Sequence, residues 1–361
     1  MAEPLKNLYN EELIHSLCSA LSSHYKKFNS GQFTERIFDK EWDQRELKDR
    51  MRHISVTLHS FLPPDYETAI EILIPASADF SGFEYMFFPD YVELYGLDEF
   101  EVSMSALEYF TEFSSSEFAV RPFIIKYPAR MMRQMEEWAG SGNYHVRRLA
   151  SEGCRPRLPW AMALPEFKKN PKAILDILDI LKSDESEYVR RSVANNLNDI
   201  SKDNPGAVIE IANSWLGDNP DTDWLVKHAC RTLLKNAEPK IMALFGLGQP
   251  RHVELKTFKV LQRVKMGGNL SFSFLLKTQT SELGKLRIEY AIDFMKHNGK
   301  QSRKIFKISE AEYPAQEKQI SRNHSFRSIT TRKYYPGSHG IAIIVNGYEL
   351  VNSQFQLTEA G

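Results

Sequence analysis

The sequence predicts a chain of two domains: an all-α helical-repeat solenoid over residues 1–250, followed by an all-β sandwich over residues 251–361. Three observations predict this division. The length of 361 residues exceeds the roughly 100 to 200 residues of one ordinary domain. A Val-Arg-Arg helix recurs in the central chain. After Gln249 the apolar residues alternate with the period of two that is typical of β-strands.

The N-terminal residues predict a helical scaffold. Leucines recur on one helical stripe over 13–21, and a second apolar stripe covers 47–58. The segment 79–100 is rich in aromatic and acidic residues, among them Phe83. It fits either core packing or a stacking platform. Its negative charge favours packing, because phosphates repel carboxylates.

The central repeat is clearest in residues 143–160, which read NYHVRRLASEGCRPRLPW. The tripeptide Val-Arg-Arg at 146–148 returns at 189–191 after 43 positions and, in altered form, at 226–228 after 37. A period of about 40 to 47 residues with two helices per unit is typical of HEAT-like repeats, whose stacked helix pairs bury one continuous core. The residue three positions before each valine is a good helix N-cap: Asn143, Ser186 and Asp223.

The helix that begins after Asn143 is predicted to end at Gly153, because glycine readily closes a helix. Arg155 and Arg157 follow, interleaved with prolines, and Trp160 ends the segment. Proline lacks the amide hydrogen and restricts the residue before it, so this segment does not continue the helix. We expect a stiff loop that presents two cations and an indole at the end of a repeat.

The second Val-Arg-Arg helix carries a polar stripe. Arg191, Asn195 and Asp199 recur at intervals of four, so they share one helix face. A shift of 43 positions places Asn195 on Glu152, and Asp199 one turn further along the neighbouring helix. Carboxylates on adjacent parallel helices of a solenoid converge on one concave surface. We therefore expect Glu152 and Asp199 to lie close together.

The last part of the chain predicts short antiparallel strands. Aromatic and aliphatic residues alternate over 272–276 and 286–294. Asn-Gly dipeptides at 298–299 and 346–347 predict hairpin turns, since both residue types readily adopt left-handed angles. About 100 residues of short strands with such turns are typical of an immunoglobulin-like sandwich, here without cysteines.

Charge is distributed unevenly along a chain whose formal net charge is −1. Residues 1–120 carry 9 Lys and Arg against 22 Asp and Glu, whereas 121–169 carry 10 against 4 and 251–361 carry 18 against 9. Clustered positive charge attracts a phosphate backbone, which makes nucleic acid a candidate partner. Solubility alone would explain the same excess. The C-terminal cations expected on loops are Lys300, Arg303, Lys304, Arg322, Arg327, Arg332 and Lys333.

Composition excludes several other classes of protein. No apolar run reaches the roughly 18 residues of a membrane helix, and the N-terminus has no basic segment followed by an apolar one. Cys18, Cys154 and Cys230 lack the spacing of a zinc site or a disulfide framework. We expect a monomeric cytoplasmic protein with reduced thiols, no metal, no cofactor and no membrane contact.

In three places the sequence resembles the AlkC family of DNA glycosylases. These are LASEGCRPRLPWA after HVRR, WDQRELKDRMRHIS near the N-terminus, and the repeated VRRSVANNL, so the resemblance covers most of residues 1–250. It implies a monofunctional HEAT-like enzyme of base excision repair. Its substrates would be cationic N3-methylated bases, 3-methyladenine and 3-methylcytosine, in double-stranded alkylated DNA, removed without base flipping. Longer members are similar in carrying a C-terminal immunoglobulin-like domain, which we expect to clamp DNA.

The resemblance also implies the residues of the site. Glu152 lies inside the matched segment, while Glu117 and Asp199 follow from the flanking repeats. Because a base methylated at N3 is cationic, the carboxylates would act on the deoxyribose, stabilising its developing positive charge and orienting water. Trp160 would lie against the electron-poor sugar. Phosphate contacts are expected from four arginines of the repeats: Arg148, Arg155, Arg157 and Arg191.

Each role has a plainer alternative. Glu152 also fits an ion pair with Arg148, four residues earlier. Asp199 fits a surface group near a helix end, and Trp160 fits a core tryptophan behind a proline. The whole chain fits a non-catalytic HEAT scaffold that binds DNA or a protein through its concave face. That alternative gives no reason for a glutamate enclosed by arginines beside the RPRLPW segment.

Overall fold

The computed structural model describes residues 4–328 and 332–359, and the chain divides into two compact units, Met1–Ala229 and Cys230–Gly361. The regular structure of the first unit is helical. The second begins with two short helices and continues as two β-sheets. The predicted fold class, an all-α repeat domain followed by an all-β sandwich, is therefore confirmed. The outermost residues of the two predicted domains, 1–3 and 360–361, lie outside the described residues.

The described part of the chain contains sixteen α-helices, none of them long and apolar enough to cross a membrane. Fourteen belong to the first unit, and the last two open the second. They are α1 (Glu11–His24), α2 (Ser30–Ile37), α3 (Leu47–Phe61), α4 (Tyr66–Ala76), α5 (Phe87–Tyr95), α6 (Phe100–Phe113), α7 (Val120–Lys126), α8 (Pro128–Ala139), α9 (Tyr144–Gly153), α10 (Pro165–Lys169), α11 (Lys172–Leu181), α12 (Glu187–Ile200), α13 (Pro205–Trp215), α14 (Pro220–Ala229), α15 (Arg231–Lys235) and α16 (Pro239–Leu244).

Three of these helices, α9, α12 and α14, are the copies of the Val-Arg-Arg pattern. Helix α12 packs against both of the others. The valines of the pattern face the core, since Val146 and Val189 are fully buried and Val226 is 1% exposed. Because successive repeats stack, residues one repeat apart in the sequence lie on neighbouring helices.

The N-caps of these helices agree with the prediction only in part. Asn143 caps α9, since its Oδ1 accepts a first-turn amide at 2.9 Å. Ser186 stands at the N-cap of α12, but its side chain makes no capping bond. The prediction for Asp223 is wrong, because α14 already begins at Pro220 and Asn219 accepts a first-turn amide at 2.9 Å. Proline suits a first turn, where its missing amide hydrogen leaves no helical bond unmade.

The second unit carries two sheets within its described residues. One has the strand order β1-β3-β6, and the other has the order β2-β8-β7-β4-β5. Neighbouring strands run antiparallel except for β2 and β8, which are parallel. The strands are β1 (Val253–Val260), β2 (Arg263–Lys265), β3 (Asn269–Thr278), β4 (Gly284–Met295), β5 (Gln301–Tyr313), β6 (Glu317–Ser325), β7 (Gly337–Val345) and β8 (Tyr348–Thr358).

The predicted alternation of buried and exposed residues holds in β3, whereas β4 and β7 are buried on both faces over most of their length. Phe274, Ile288 and Ile343 come from three different strands and are fully buried in one apolar cluster. A second, smaller apolar cluster of Ala291, Ala342 and Ile344 is also buried, so the central strands carry apolar residues on both faces. Both predicted Asn-Gly hairpins are confirmed, at 298–299 between β4 and β5 and at 346–347 between β7 and β8.

The three cysteines are free and buried. Burial raises the pKa of Cys154 to about 12 and that of Cys230 to about 12. It also raises the pKa of Cys18. Removing a thiol from water penalises the thiolate, so each cysteine is held in its neutral form.

The turn between β7 and β8 packs against the chain that precedes the first strand. Asn346 and Gly347 have φ angles of 49° and 80°, the left-handed values that such a turn requires. The Asn346 Nδ2 donates to the carbonyl of Gly248 at 2.9 Å. A Cβ at Gly347 would collide with the Cβ of Ala237. The two short helices α15 and α16 therefore flank a segment that packs as part of the second unit.

We expect Gly347→Ala to destabilise the second unit by about 3 kcal/mol, because left-handed strain of about 1–2 kcal/mol combines with overpacking of about 1–3 kcal/mol. Gly299→Ala is the matched control. Its φ is 74°, and nothing lies within 4 Å of the added Cβ, so only the strain applies there. Denaturant unfolding of both variants measures the difference. Equal losses would show that Ala237 does not pack closely on the turn.

Candidate active site

Five of the predicted side chains form one row of alternating charge in the first unit, with each arginine between two carboxylates. Their elements are neighbours. Helix α9 packs against α12, and the turn before α7 contacts α9 through Glu117 and Arg148. In order, the row is Glu117 in the turn before α7, Arg148 and Glu152 on α9, Arg155 just after α9, and Asp199 near the end of α12.

Glu152 is at the centre of the row and is 5% exposed. Its Oε1 accepts from Arg155 Nη1 at 2.6 Å, and its Oε2 accepts from the Ser192 hydroxyl at 2.6 Å. Arg148 Nη2 lies farther away, 3.6 Å from Oε1. An isolated pair with Arg148 therefore does not describe Glu152, because Arg155 is the nearer cation and a second helix supplies the hydroxyl.

Asp199 is buried as well, with 2% of its surface exposed, so it is not a surface group. Its Oδ2 accepts from Arg155 Nε at 2.9 Å and lies 2.8 Å from Nη2 of the same guanidinium. Its Oδ1 accepts from Lys202 Nζ at 2.9 Å. The carboxylates of Glu152 and Asp199, which the repeat placed on neighbouring helices, thus share one guanidinium.

Glu117 is the outer member of the row. Its Oε2 lies 2.7 Å from Arg148 Nη1 and accepts from the Ser115 hydroxyl at 2.8 Å. The Arg148 guanidinium also lies over the Tyr188 ring, with its Cζ 4.7 Å from the centroid. Burial alone would lower the pKa of Arg148, but the carboxylates of Glu117 and Glu152 raise it above its ordinary value. Arg148 is therefore a permanent cation.

The row places fixed carboxylates and cations side by side. Burial would lower the pKa of Arg155 too, but Glu152 and Asp199 raise it, so both arginines are charged. The row holds three carboxylates against two guanidinium groups, and Lys202 adds a cation 2.9 Å from Asp199. The buried Arg121 lies close enough to interact with the charges of Asp199 and Glu117. Carboxylates fixed in this way can stabilise positive charge that develops beside them. No cluster of metal-ligand type occurs among the described residues.

Trp160 stands on the loop that follows α9, which is non-helical as predicted. The indole is 63% exposed, so it is not a core tryptophan. Its backbone has a φ of 63°, in the left-handed region that residues other than glycine seldom adopt. Lys48 Nζ donates to the Trp160 carbonyl at 2.8 Å, and the Phe83 ring meets the indole edge-on at 6.4 Å. The loop is thus held from outside its own repeat.

The other two predicted arginines lie at the surface. Arg157 donates from Nε and Nη2 to the Asp203 carboxylate at 3.0 and 2.7 Å, and its side chain is 37% exposed. Arg191 pairs with Glu187 one turn earlier, lies over the Trp224 ring at 5.8 Å, and has a side chain that is 58% exposed. These two guanidinium groups are open to a ligand, unlike the two within the row.

Three further side chains support the site without having been expected from the sequence. Ser192 bonds the central carboxylate, Lys48 holds the Trp160 loop from 112 residues away, and Arg121 is fully buried against the end of α9. Arg121 stands beside the apolar Val120, and Lys48 and Ser192 lie inside the segments WDQRELKDRMRHIS and VRRSVANNL, but no local pattern singles these residues out. The roles of Ser192 and Lys48 depend on tertiary contacts that local patterns do not encode.

Known proteins resemble the chain along its whole length. Residues 94–236 match the family described as DNA alkylation repair enzyme, and residues 254–359 match the family described as uncharacterised protein YhaZ, C-terminal Ig-like domain. Protein YhaZ of Bacillus subtilis (strain 168), itself described as uncharacterized, is 44% identical over 355 residues, which cover 98% of this chain and 99% of that protein.

A solved structure is similar over the same extent. It is the alkylpurine DNA glycosylase AlkC of Pseudomonas fluorescens bound to DNA containing an abasic site analog, with a TM-score of 0.93 and 37% sequence identity. The match covers 98% of this chain and 99% of that one, so the helical repeats and the Ig-like domain are both shared. On this end-to-end agreement, the chain belongs to the AlkC family of DNA glycosylases.

Proposed function

We propose that this protein is a monofunctional DNA glycosylase of base excision repair. It would hydrolyse the N-glycosidic bond of cationic N3-methylated bases, 3-methyladenine and 3-methylcytosine, in double-stranded DNA. The observation that best supports this proposal is the row of three carboxylates and two guanidinium groups, continuous with the loop that exposes Trp160. We expect it to act as a monomer in the cytoplasm, where its DNA substrate lies.

In the proposed mechanism the protein acts on the deoxyribose rather than on the departing base. A base methylated at N3 carries a positive charge, so it takes the electron pair of the glycosidic bond and departs neutral without being protonated. The deoxyribose then resembles an oxocarbenium ion, and carboxylates fixed beside it would lower the barrier electrostatically. Water attacks the anomeric carbon, and a carboxylate accepts its proton.

Glu152, Asp199 and Glu117 would share these tasks. Glu152 is central and is held by one donor from the loop after α9 and one from α12, which suits the electrostatic role because its orientation is fixed before the substrate binds. One of the three carboxylates would orient the attacking water. Trp160 would lie against the sugar, since an indole face attracts positive charge.

The proposal includes recognition of the lesion without base flipping. An indole that is 63% exposed at the protein surface can reach the sugar of a base that remains stacked, provided that the duplex bends. Bending a site of 20–30 base pairs by 40–90° costs about 1–6 kcal/mol, which contacts with the DNA backbone would offset. Bending would open the lesion to water.

Phosphate contacts suit the exposed arginines best. Arg157 and Arg191 are at the surface and pair with carboxylates that water screens, so a phosphate can compete for them. Arg148 and Arg155 would have to leave buried carboxylates to bind a phosphate. We therefore assign the first pair to the DNA backbone, and the second pair to ordering the catalytic carboxylates.

We further propose that the Ig-like domain clamps the DNA. Lys235, Lys304 and Arg332 line one pocket of about 680 Å³ in the second unit. Arg332, followed by burial and then Lys235, lowers the pKa of Lys304, which reports mutual repulsion among the three cations. Within the described residues none of the three has a carboxylate partner. A phosphodiester would relieve their repulsion.

Not all the C-terminal cations predicted on loops lie there. Arg303 and Lys304 belong to β5, and Arg322 belongs to β6. Arg303 is already engaged, since it donates to Asp293 at 2.8 and 3.0 Å and to Glu349 at 2.7 Å. Strand register therefore separates a paired arginine from the unpaired lysine that follows it, because successive residues of a strand face opposite sides.

Glu152→Gln should slow single-turnover release of 3-methyladenine at least about tenfold while leaving affinity for abasic-site DNA nearly unchanged, because it removes charge but keeps shape. Asp199→Asn and Glu117→Gln should behave alike. Glu166→Gln, at an exposed glutamate paired with Lys169, is the control and should keep full activity. An unaltered rate in Glu152→Gln would remove this residue from the site. Binding without any base release by the wild type would favour a non-catalytic scaffold.

Replacing Lys235, Lys304 and Arg332 together by alanine should weaken DNA binding and flatten its salt dependence. Each neutralised phosphate contributes about 0.9 to the slope of log affinity against log salt, so losing two or three contacts changes the slope by about 2 to 3. The matched control replaces Lys256, Lys277 and Lys307, which pair with glutamates in the same unit. Equal slopes for the two triple variants would contradict the clamp.

A further inference from the structure

Arg121 joins the two ends of the loop that presents Trp160. It lies on α7 and is fully buried. Its Nη1 donates to the carbonyl of Gly153, the last residue of α9, at 2.9 Å, and its Nε donates to the carbonyl of Met162 at 2.7 Å. One guanidinium thus fixes the point where the loop leaves the helix and a point two residues beyond the indole.

The contact between α7 and α9 is tight at this place. A Cβ on Gly153 would lie 2.6 Å from Cγ2 of Val120, the neighbour of Arg121 in the chain. Only glycine at 153 therefore lets the two helices approach closely enough for the buried guanidinium to reach the end of α9. The missing side chain at Gly153 and the buried guanidinium of Arg121 together allow the close contact between α7 and α9.

Three predicted site residues stand between the two anchor points. Arg155 bridges the carboxylates of Glu152 and Asp199, Arg157 follows it, and Trp160 comes last. The backbone bonds that turn the segment are few and long, such as Ala161 N to Leu158 O at 3.3 Å and Leu164 N to Pro156 O at 3.2 Å. Beside the side-chain contacts of Arg155, Arg157 and Lys48, the path of the loop therefore depends on how its two ends are held.

Burying a charged guanidinium costs desolvation free energy that an apolar side chain would not. Burial lowers the pKa of Arg121 to about 10, which still leaves it cationic at neutral pH. Its partners are carbonyl dipoles, and among the described residues its Nη2 has no partner. An apolar side chain of similar volume would avoid this desolvation, but it would supply no directed donors. What arginine adds here is a planar fork that holds two backbone oxygens at once.

We propose that Arg121 is a positioning residue for base excision. By holding Gly153 and Met162 in place, Arg121 sets the course of the loop. The loop in turn places the Arg155 guanidinium between Glu152 and Asp199, and it places the Trp160 indole at the position proposed for the sugar. This inference rests on the proposed function and extends it to a residue that touches neither the DNA nor the reacting atoms.

Arg121→Ala tests the inference in the full chain, with Arg190→Ala as matched control. Arg190 is also a buried arginine, 8% exposed, and also donates to two backbone carbonyls, those of Asp184 at 2.6 Å and Glu185 at 2.9 Å. Both carbonyls lie in the turn between α11 and α12, and Arg190 does not contact the Trp160 loop. Comparing the two variants separates loss of a buried cation from loss of loop position.

Arg121→Ala should slow single-turnover release of 3-methyladenine at least about tenfold with affinity for abasic-site DNA changed less than about threefold. Amide hydrogen exchange over 154–162 should accelerate at least about tenfold, since the loop opens without global unfolding. Arg190→Ala should lower the melting temperature and leave both quantities near the wild-type values. Guanidinium at millimolar, non-denaturing concentration should restore excision in Arg121→Ala at least about threefold, and not in Trp160→Ala.

Arg121→Lys provides a second variant should the alanine chain fail to fold. It keeps the charge but not the fork, so it should show slower excision and faster exchange in the same direction. Wild-type exchange over 154–162 in a folded variant, or equal loss of excision in Arg190→Ala, would overturn the inference. If the wild type releases no methylated base, the proposed function fails, while the exchange comparison still decides whether Arg121 positions the loop.

Discussion

Everything at this site depends on Arg155, because two carboxylates on neighbouring helices cannot be buried side by side without a shared cation. Glu152 and Asp199 are 5% and 2% exposed, and unshielded charges at such depth would repel and take up protons. The planar guanidinium bonds both at once, 2.6 Å from one and 2.8–2.9 Å from the other. The same contact links two repeats of the fold and holds both carboxylates in fixed positions.

Local rules in the sequence were enough to predict the framework of this site. The stripe of Val146 and Val189 follows from helical periodicity, and the Asn-Gly turns follow from left-handed angles. The 43-position step brought Asp199 near Glu152 because stacked repeats convert sequence spacing into spatial neighbourhood. The chemical roles of these residues, in contrast, came from resemblance to a family. Periodicity alone places a carboxylate without saying what it does.

What the sequence could not predict depends on the path of irregular backbone. Arg148 looked like the partner of Glu152 because four residues make one helical turn, yet Arg155 lies closer since the chain leaves the helix at Gly153 and folds back. The hydrogen bond from Lys48 to the Trp160 carbonyl joins residues 112 positions apart, and no periodic pattern in the sequence indicates it. Asp223 lost its capping role because an Asn-Pro pair upstream starts the helix earlier. Tertiary contacts and competing local signals decided these three cases.

Cys154, two residues after the central glutamate, is fully buried and its thiol donates to the Ala150 carbonyl at 3.1 Å. With its pKa raised to about 12 by burial, almost none of it is thiolate at neutral pH. The thiolate is the form that electrophiles attack, so the methylating agents that damage DNA find no nucleophile at this position. Burial thereby withholds one reactive group from such agents beside the central glutamate. Access of a thiol reagent to this cysteine therefore requires the chain to open at the end of α9.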